Sequence, residues 1–288
     1  MSKRLAYIYV ILGAACWGLI GIFNRMLGAA GVSVWNRVTI RNFLSLLLLT
    51  AVFVLIRRSV FRIRLRHLPI FMGAGLFSVL GLAVSYFHCQ MYCSLAVAGI
   101  LLYLAPAFVV LMSALFWKAP ITKRKIAALV LSFLGCALVS GIMSGALTVS
   151  ATGLLLGIAS GFCYATYTIF AHYGLKHYDS LTMIYWTFMF AGLGSLLFLD
   201  WPTLAPTLSV PMTWLGIVGL VVVATVLPYL FYTKGLEGVE SGKASIIANV
   251  EPVVAALTGI VFYREMMDLW TVLGIVCVLV GVVLLAKE

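Results

Sequence analysis

Charged residues are scarce in this chain of 288 residues, where they make up 9% of the sequence against 64% hydrophobic residues. A soluble globular protein carries about 25% charged residues. A soluble fold of this length could not bury so much apolar surface and would expose large patches of it. The composition therefore excludes an ordinary soluble protein and predicts an integral membrane protein built from α-helices.

The patterns on which enzymatic chemistry depends are also missing. The sequence contains no His-Glu-x-x-His motif, no paired aspartates and no serine with a plausible catalytic triad. Its six cysteines all fall inside apolar segments, where cysteine is usually a small hydrophobic residue. We therefore expect no enzymatic activity, no metal and no cofactor, and an intramembrane enzyme is only a remote alternative.

Apolar segments of about 20 residues, the length that crosses a bilayer, recur along the whole chain. The ten predicted spans are 5–27, 34–56, 69–92, 95–117, 125–142, 152–172, 181–199, 213–233, 244–263 and 269–286. The connections between them are too short for a soluble domain. The first span is too long for the core of a signal peptide, so we predict an uncleaved helix.

The basic residues are distributed unequally between the two ends of these spans. With a cytoplasmic N-terminus, 15 of the 19 lysines and arginines fall on the cytoplasmic side. The other side keeps only Arg25, Arg37, Arg41 and Arg264. The positive-inside rule therefore predicts that both termini are cytoplasmic. The net charge of +11 reports this topology rather than a nucleic-acid partner.

An internal repeat appears when the chain is shifted by 146 residues. The shift places residues 104–106 (LAP) on residues 250–252 (VEP) without a gap. The other informative matches are Tyr86 with Tyr232 and Gly135 with Gly281. A shift of 147 pairs Cys16 with Cys163. We predict one membrane domain of ten transmembrane helices in two inverted five-helix repeats, 1–145 and 146–288, because an odd helix number inverts the second copy.

These features resemble the drug/metabolite transporter superfamily, and within it the EamA-type branch. The resemblance rests on AACWGLIG at 14–21, on Ala105-Pro106 and Glu251-Pro252, and on the ten-helix plan. Within the branch, the chain is similar to the bacterial amino-acid exporters of the YddG type, which handle aromatic and other mostly neutral amino acids. The resemblance implies a secondary carrier in the bacterial inner membrane that exports its substrate by alternating access. Export of other small metabolites or drugs is the alternative.

Glu251 is the first candidate residue of the substrate site. It is the eighth residue of predicted span nine, and a charge near a helix centre costs about 2.5–3.5 kcal/mol on insertion scales. It could contact a substrate amine or carry a proton as the coupling ion. Alternatively, it could accept structural hydrogen bonds from a neighbouring helix. The first repeat has Ala105 at the equivalent position, so the two halves differ chemically.

The two prolines and an arginine are the next candidates. Pro106 and Pro252 occupy matching positions and predict kinks that open space or act as gating joints. Such residues are also tolerated where neighbours satisfy the freed carbonyl. Arg41 lies inside predicted span two and could meet a substrate carboxylate or Glu251. It could equally snorkel to the outer interface.

Aromatic and amide side chains are predicted to form the walls of the site, since such pockets combine apolar walls with few polar anchors. The candidates are Trp17, Tyr86, His88, Tyr103, Trp186 and Asn249. Each could instead belong to an interface belt or to helix packing. Gly153, Gly157 and Gly161 form a small-xxx-small stripe, which predicts close helix packing inside a monomer rather than a dimer face. The expected partners are a small-molecule substrate and the lipid bilayer.

Overall fold

The computed structural model describes residues 2–141, 143, 149–264 and 268–286. The predicted boundary between the repeats at residues 145 and 146 lies outside the described residues, as does Lys287 of the basic set. The described part of the chain is 85% helical and contains no strand. Helices satisfy every backbone polar group internally, which is the requirement that a bilayer imposes.

Ten long helical segments follow one another in the described part of the chain. They are α1 (Lys3–Ala29), α2 (Val34–Ile56), α3 (Leu65–Tyr92), α4 (Leu95–Trp117), α5 (Lys123–Val139), α6 (Ala151–Gly174), α7 (Ser180–Phe198), α8 (Pro211–Gly235), α9 (Ser241–Tyr263) and α10 (Leu269–Ala286). Eight of them are long and apolar enough to cross a membrane, and α10 adds a shorter apolar helix. Helix α5 has only 17 residues and is not among these eight. The predicted count of ten spans therefore stays a prediction.

Polar caps set where several of these helices begin. The side chains of Thr122 and Ser150 accept hydrogen bonds from the backbone N–H groups of Lys125 and Gly153. Asp179 does the same for Thr182, at 2.9 Å. Such caps satisfy N–H groups that have no partner within the helix. The observed helices therefore start one or two residues before the predicted apolar spans.

Helices α4 and α9 are each interrupted a few residues before a proline. In α4, the segment Leu95–Leu102 ends at Tyr103, and a new helix begins at Ala105 with Pro106 in its first turn. In α9, the segments Ser241–Ala248 and Val250–Tyr263 meet at Asn249. These interruptions, called breaks here, precede Pro106 and Pro252, and the predicted kinks or gating joints at the two prolines stay predictions. Proline suits the first turn of a helix because its missing N–H would lack an intrahelical partner there.

Backbone irregularities recur at the spacing of the sequence repeat. Helix α3 contains a π-helical segment at Gly73–Leu80, and α8 contains another at Gly219–Val226, 146 residues further on. Lys118 and Arg264, also 146 residues apart, end α4 and α9 in the same left-handed conformation, with φ of 55°. The backbone therefore supports the repeat independently of residue identities.

The glycine stripe of α6 brings this helix against α3 and α4. A Cβ on Gly161 would lie 2.6 Å from the carbonyl oxygen of Leu101, just before the break in α4. The carbonyl oxygen of Gly153 accepts a bond from the Cys89 thiol of α3, at 3.2 Å. These glycines pack within the chain. On the outside, Leu55 and Leu197 are 84% and 88% exposed, as expected of side chains that face lipid.

The two ends of the bundle differ in charge. One end, called here the basic end, holds the loops that follow α2, α4, α6 and α8. Most lysines and arginines of the chain lie on these loops and on the helix turns beside them. The other end, called the opposite end, holds the loops that follow α1, α3, α7 and α9.

Candidate functional site

The break in α9 carries Glu251 into the interior of the bundle. Glu251 lies in the first turn of the helix Val250–Tyr263, where the positive end of the helix dipole favours an anion. The Tyr164 hydroxyl of α6 donates a hydrogen bond to its Oε2, at 3.0 Å. Glu251 as a whole residue is half-buried.

An aromatic layer borders this carboxylate. Trp17 of α1 meets the ring of Tyr164 edge-on at 6.2 Å and the ring of Tyr229 of α8 at 5.3 Å. Tyr232, one turn further along α8, lies 5.2 Å from Trp17. The Tyr232 hydroxyl and Thr168 Oγ1 form a hydrogen bond at 2.8 Å. Trp17, Tyr229 and Tyr232 are buried, so they form a closed floor to the site rather than an open wall.

Half-buried tyrosines and an arginine complete the surroundings of Glu251. Tyr86 of α3 and Tyr103 of α4 both lie within electrostatic reach of its carboxylate. The guanidinium of Arg41 acts on Glu251 and on Tyr229. Across the described ranges, Arg41 forms no ion pair within 4 Å, and its buried Nε has no hydrogen-bond partner. Glu251 and Arg41 therefore lie within electrostatic range of the same tyrosines without forming an ion pair with each other.

Asn249 adds an unsatisfied polar group to the site. Its side chain is 3% exposed, and its Nδ2 has no hydrogen-bond partner among the residues that the structure describes. Leaving such a donor buried and unpaired costs about 1–3 kcal/mol. Asn249 is also the residue at which α9 breaks, two positions before Glu251. A ligand with an acceptor oxygen would satisfy this amide.

Ion pairs join the two halves of the chain at the basic end. Lys125 Nζ lies 2.5 Å from Glu240 Oε1 and donates to the carbonyl of Pro120 at 2.7 Å. Glu240 directly precedes α9, so this pair fixes the start of the broken helix. Arg57 pairs with Asp179 at 2.5 Å between the ends of α2 and α7. Both ion pairs lie at the basic end and link the two halves there.

The sequence as a whole matches a model of the EamA-like transporter family twice, over residues 4–141 and 151–287. The chain belongs to the EamA-like transporter family. It is therefore a multi-pass membrane protein and a transporter, which agrees with the expected lack of enzymatic activity.

Two relatives and one solved structure align with almost the whole length of this EamA-like chain. An "Uncharacterized transporter" of Archaeoglobus fulgidus is 28% identical over 97% of this chain and 95% of its own length. The "Uncharacterized inner membrane transporter YicL" of Salmonella typhimurium is 26% identical over 100% of this chain and 97% of its own. A crystal structure with 17% identity superposes with a TM-score of 0.80, covering 98% of this chain and 96% of that one. The last likeness concerns the fold alone.

Two of the predicted site residues lie outside the Glu251 site of this EamA-like transporter. His88 Nδ1 bonds to the carbonyl oxygen of Val84 at 2.8 Å, and its ring lies 5.4 Å from that of Trp35 near the opposite end. Trp186 donates to the carbonyl oxygen of Val60 at 3.1 Å, near the basic end. Trp17, Tyr86, Tyr103, Asn249 and Arg41 are the predicted residues that come together with Glu251.

Tyr164, Tyr229 and Tyr232 are the residues of the site that the sequence predictions missed, although the shift of 146 residues pairs Tyr232 with the candidate Tyr86. Tyr164 resembles an interface tyrosine when it is viewed alone. The shift of 147 residues that pairs Cys16 with Cys163 also pairs Trp17 with Tyr164. That match was a usable signal, because Trp17 was already a candidate. Tyr229 offered no comparable signal, since it enters the site through the packing of α8 on α1.

Proposed function

We propose that this EamA-like transporter is a secondary carrier that exports amino acids, chiefly aromatic and other neutral ones, across the bacterial inner membrane. The inner-membrane relative and the sequence resemblance support this location. We further propose ten spans in two inverted repeats, both termini in the cytoplasm and a monomeric protein. The internal packing of the glycine stripe supports the monomer.

The observation that carries the proposal is the placement of Glu251 and Arg41 in one tyrosine-lined site. An amino acid presents an ammonium group, a carboxylate and a side chain to its carrier. Glu251 complements the ammonium group, and Arg41 with the unpaired amide of Asn249 complements the carboxylate. Tyr86, Tyr103 and Tyr164 then offer apolar faces and hydroxyl groups to a large side chain.

Alternating access is supported by the broken helices and by the ion pairs that join the halves at the basic end. Broken helices near the middle of the membrane are typical of carrier binding sites, since half-helix ends offer unsatisfied backbone groups and dipoles. Here the breaks of α4 and α9 occupy equivalent positions in the two halves. In this proposal, substrate from the basic end passes the aromatic floor, and the Lys125–Glu240 pair separates as the halves move.

Glu251 has two roles that the geometry allows. It can bind the substrate ammonium group, or it can exchange a proton and couple transport to the proton gradient. Its single hydrogen bond from Tyr164 leaves room for either role. A pH gradient distinguishes them, because only the second role makes the direction of net movement follow the proton gradient.

The test is uptake and counterflow in proteoliposomes that contain the purified protein and a panel of labelled amino acids. We expect saturable movement of aromatic amino acids that unlabelled substrate competes away. The measurement is repeated with and without a pH gradient. No movement of any amino acid by folded protein would overturn the amino-acid assignment. Movement of other metabolites or drugs in the same vesicles would establish the alternative.

A matched pair of variants tests the site itself. Glu251→Gln keeps the shape of the side chain but removes the charge, and we expect counterflow to fall roughly tenfold or more, the effect of losing one charge-assisted contact. Asp200→Asn removes an exposed carboxylate outside the bundle and should leave counterflow unchanged. Unchanged counterflow in Glu251→Gln at every pH would remove the Glu251 charge from the mechanism.

A further inference from the structure

The loop that follows α2 carries the densest positive charge in the chain. Residues 57–66 contain five arginines and no acidic residue. All five are exposed: Arg57, Arg58, Arg62, Arg64 and Arg66. The other basic residues near this end are mostly single lysines or short groups that follow helix ends. This loop, residues 57–66, therefore differs from the others in its density of positive charge and in carrying arginine rather than lysine.

The loop is held in a fixed shape by contacts to α7 and its cap. Val60 is fully buried, and its carbonyl oxygen accepts the hydrogen bond from Trp186. The ring of Phe61 meets Tyr185 edge-on at 4.8 Å. The backbone N–H of Arg64 donates to the Tyr178 hydroxyl at 2.9 Å. These anchors fix the backbone, so the arginines start from defined positions.

Side chains alternate between outward and inward over Arg62, Ile63 and Arg64. Arg62 and Arg64 have extended backbones, with φ and ψ of −96° and 112° and of −88° and 130°. Successive side chains of an extended segment point to opposite sides. Ile63 packs against the core, so Arg62 and Arg64 face away from it. Arg66, two residues after Arg64, is also exposed. The extended residues Arg62 and Arg64 are spaced by roughly 7 Å along the backbone.

Three of the five guanidinium groups have no hydrogen-bond or ion-pair partner among the described residues. Arg57 pairs with Asp179, and Arg58 Nε donates to the carbonyl oxygen of Val54. The guanidinium groups of Arg62, Arg64 and Arg66 form no hydrogen bond or ion pair with any described residue. They are therefore available to an anion from outside.

The neighbouring apolar side chains place this row at the membrane surface. Leu55 and Ile56, at the end of α2, are 84% and 71% exposed, and Leu65 is 81% exposed. Side chains of this kind are stable only against hydrocarbon or another apolar surface. With these three residues at the edge of the hydrocarbon, the neighbouring guanidinium groups lie at the depth of the lipid headgroups.

We propose that Arg62, Arg64 and Arg66 form a docking surface for the headgroups of anionic phospholipids. Guanidinium groups bind phosphate oxygens in a bidentate manner, which lysine cannot reproduce. A membrane with anionic lipid supplies a dense layer of phosphate at this depth. The proposal holds whatever substrate the carrier transports.

The experiment counts bound lipids by native mass spectrometry of the full-length protein, titrated with phosphatidylglycerol or phosphatidylcholine. The variant Arg62→Gln/Arg64→Gln/Arg66→Gln is compared with Lys3→Gln/Lys118→Gln/Lys123→Gln. The control removes the same number of charges from exposed positions near the same end. We expect the arginine variant to lose roughly tenfold or more in phosphatidylglycerol affinity, and the control to lose less than about twofold.

Three outcomes would overturn the proposal. One is equal affinity of the parent protein for the two lipids, and another is an equal loss in both triple variants, which would indicate diffuse charge. Displacement of the lipid by inorganic phosphate would assign the site to a soluble anion. The variant Arg62→Lys/Arg64→Lys/Arg66→Lys keeps the charge, and we expect an affinity between those of the parent and the glutamine variant. This lysine variant decides the question if the glutamine variant does not fold.

Discussion

The two ends of this transporter are joined by different chemistry. At the basic end, the contacts between the halves include the Lys125–Glu240 and Arg57–Asp179 ion pairs. At the opposite end, they include neutral hydrogen bonds from Asn36. Its Nδ2 donates to Thr203 Oγ1 and to the carbonyl oxygen of Asp200, at 3.0 Å each, and its Oδ1 accepts from the Asp200 N–H at 2.9 Å.

The repeat spacing shows that this difference is a departure from internal symmetry. Lys125 and Glu240 correspond to Thr271 and Ser94 at a shift of 146 residues, so the ion pair has an uncharged counterpart. Arg57 and Asp179 correspond to Thr203 and Ser33, which are also uncharged. The two related halves can therefore share a fold while the contacts between them differ in strength at the two ends. Separating the halves at the basic end separates these charges, whereas the described Asn36 contacts at the opposite end are uncharged.

An aromatic contact with a basic side chain is, by contrast, common to both ends. The Trp117 ring lies 4.1 Å from that of His172 at the basic end. At the opposite end, the Arg25 guanidinium lies 4.3 Å from the ring of Tyr263. Trp117 and Tyr263 are 146 residues apart, and Arg25 and His172 are 147 apart. The two ends therefore share this aromatic contact and differ in the described ion pairs that bridge the halves.

The largest expected effect comes from breaking the Lys125–Glu240 pair. The Lys125 side chain is 3% exposed, so Glu240→Gln leaves a buried ammonium group with the Pro120 carbonyl as its remaining partner. We expect the free energy of unfolding to fall by roughly 2–4 kcal/mol, measured by denaturant titration in mixed micelles. Ser94→Ala, at the equivalent position of the opposite end, is the control and should lose less than about 0.5 kcal/mol.

A double variant separates the charge from the packing of this pair. Lys125→Met/Glu240→Met removes both charges and keeps similar volumes. Apolar replacement of a buried pair is often neutral, so we expect this variant to be more stable than Glu240→Gln. If Glu240→Gln unfolds at the same denaturant concentration as the parent protein, the ion pair does not hold the basic end.

The next effect concerns the neutral contact at the opposite end. Asn36 is fully buried, and Asn36→Ala leaves the backbone groups of Asp200 without these partners. We expect a loss of about 1–3 kcal/mol in unfolding free energy, independent of salt concentration because no charge is involved. Thr203→Val removes only the hydroxyl, which accepts from Asn36 and donates to the Asp200 carbonyl oxygen at 3.1 Å, and should lose less. A salt-dependent loss in Asn36→Ala would contradict the distinction between the ends.

A smaller effect is expected for the more exposed ion pair of the basic end. The side chains of Arg57 and Asp179 are 48% and 33% exposed. Arg57→Gln should therefore lower the unfolding free energy by less than about 1 kcal/mol, and the loss should shrink at high salt. Arg58→Gln, whose Nε bonds to a backbone carbonyl instead, is the matched control. Equal salt dependence in the two variants would argue against a specific pair.

The smallest effect is a pH dependence of the same contact. Burial alone would raise the pKa of the Asp179 carboxyl, but its bonds with Thr182 and the charge of Arg57 outweigh burial and hold this pKa below its usual value. A carboxylate with a lowered folded-state pKa stabilises the fold above its unfolded pKa of about 3.9 and loses that contribution as the pH falls further. The stability difference between the parent protein and Asp179→Asn should hold from about pH 7 to 5. Its disappearance near pH 6 would contradict this assignment.

Sequence reasoning located the helices well because each apolar run is long and bounded by polar caps. It identified Glu251 and Asn249 because polar groups are costly inside a membrane. It placed the disturbance of α4 and α9 at the prolines, whereas the breaks precede them at Tyr103 and Asn249. A proline in the sequence shows where a backbone N–H is missing. The observed breaks lie a few residues before Pro106 and Pro252.

Contacts between distant helices were not accessible from the sequence. Lys125 and Glu240 are 115 residues apart, and neither charge stands out among the other residues of the basic end. Trp186 lies well inside its apolar run by count, but the loop after α2 folds over it and accepts its hydrogen bond at Val60. Depth along a helix therefore did not determine which side chains share a site.

The π-helical segments of α3 and α8 give the site a rotational degree of freedom. Each precedes residues of the site, with Tyr86 beyond Gly73–Leu80 and Tyr229 and Tyr232 beyond Gly219–Val226. An α-helix turns by about 100° per residue, so a one-residue slip between π and α bonding rotates everything beyond it by about that angle. The tyrosines could then be re-aimed by a change of hydrogen-bond register, without any tilting of the helices that carry them.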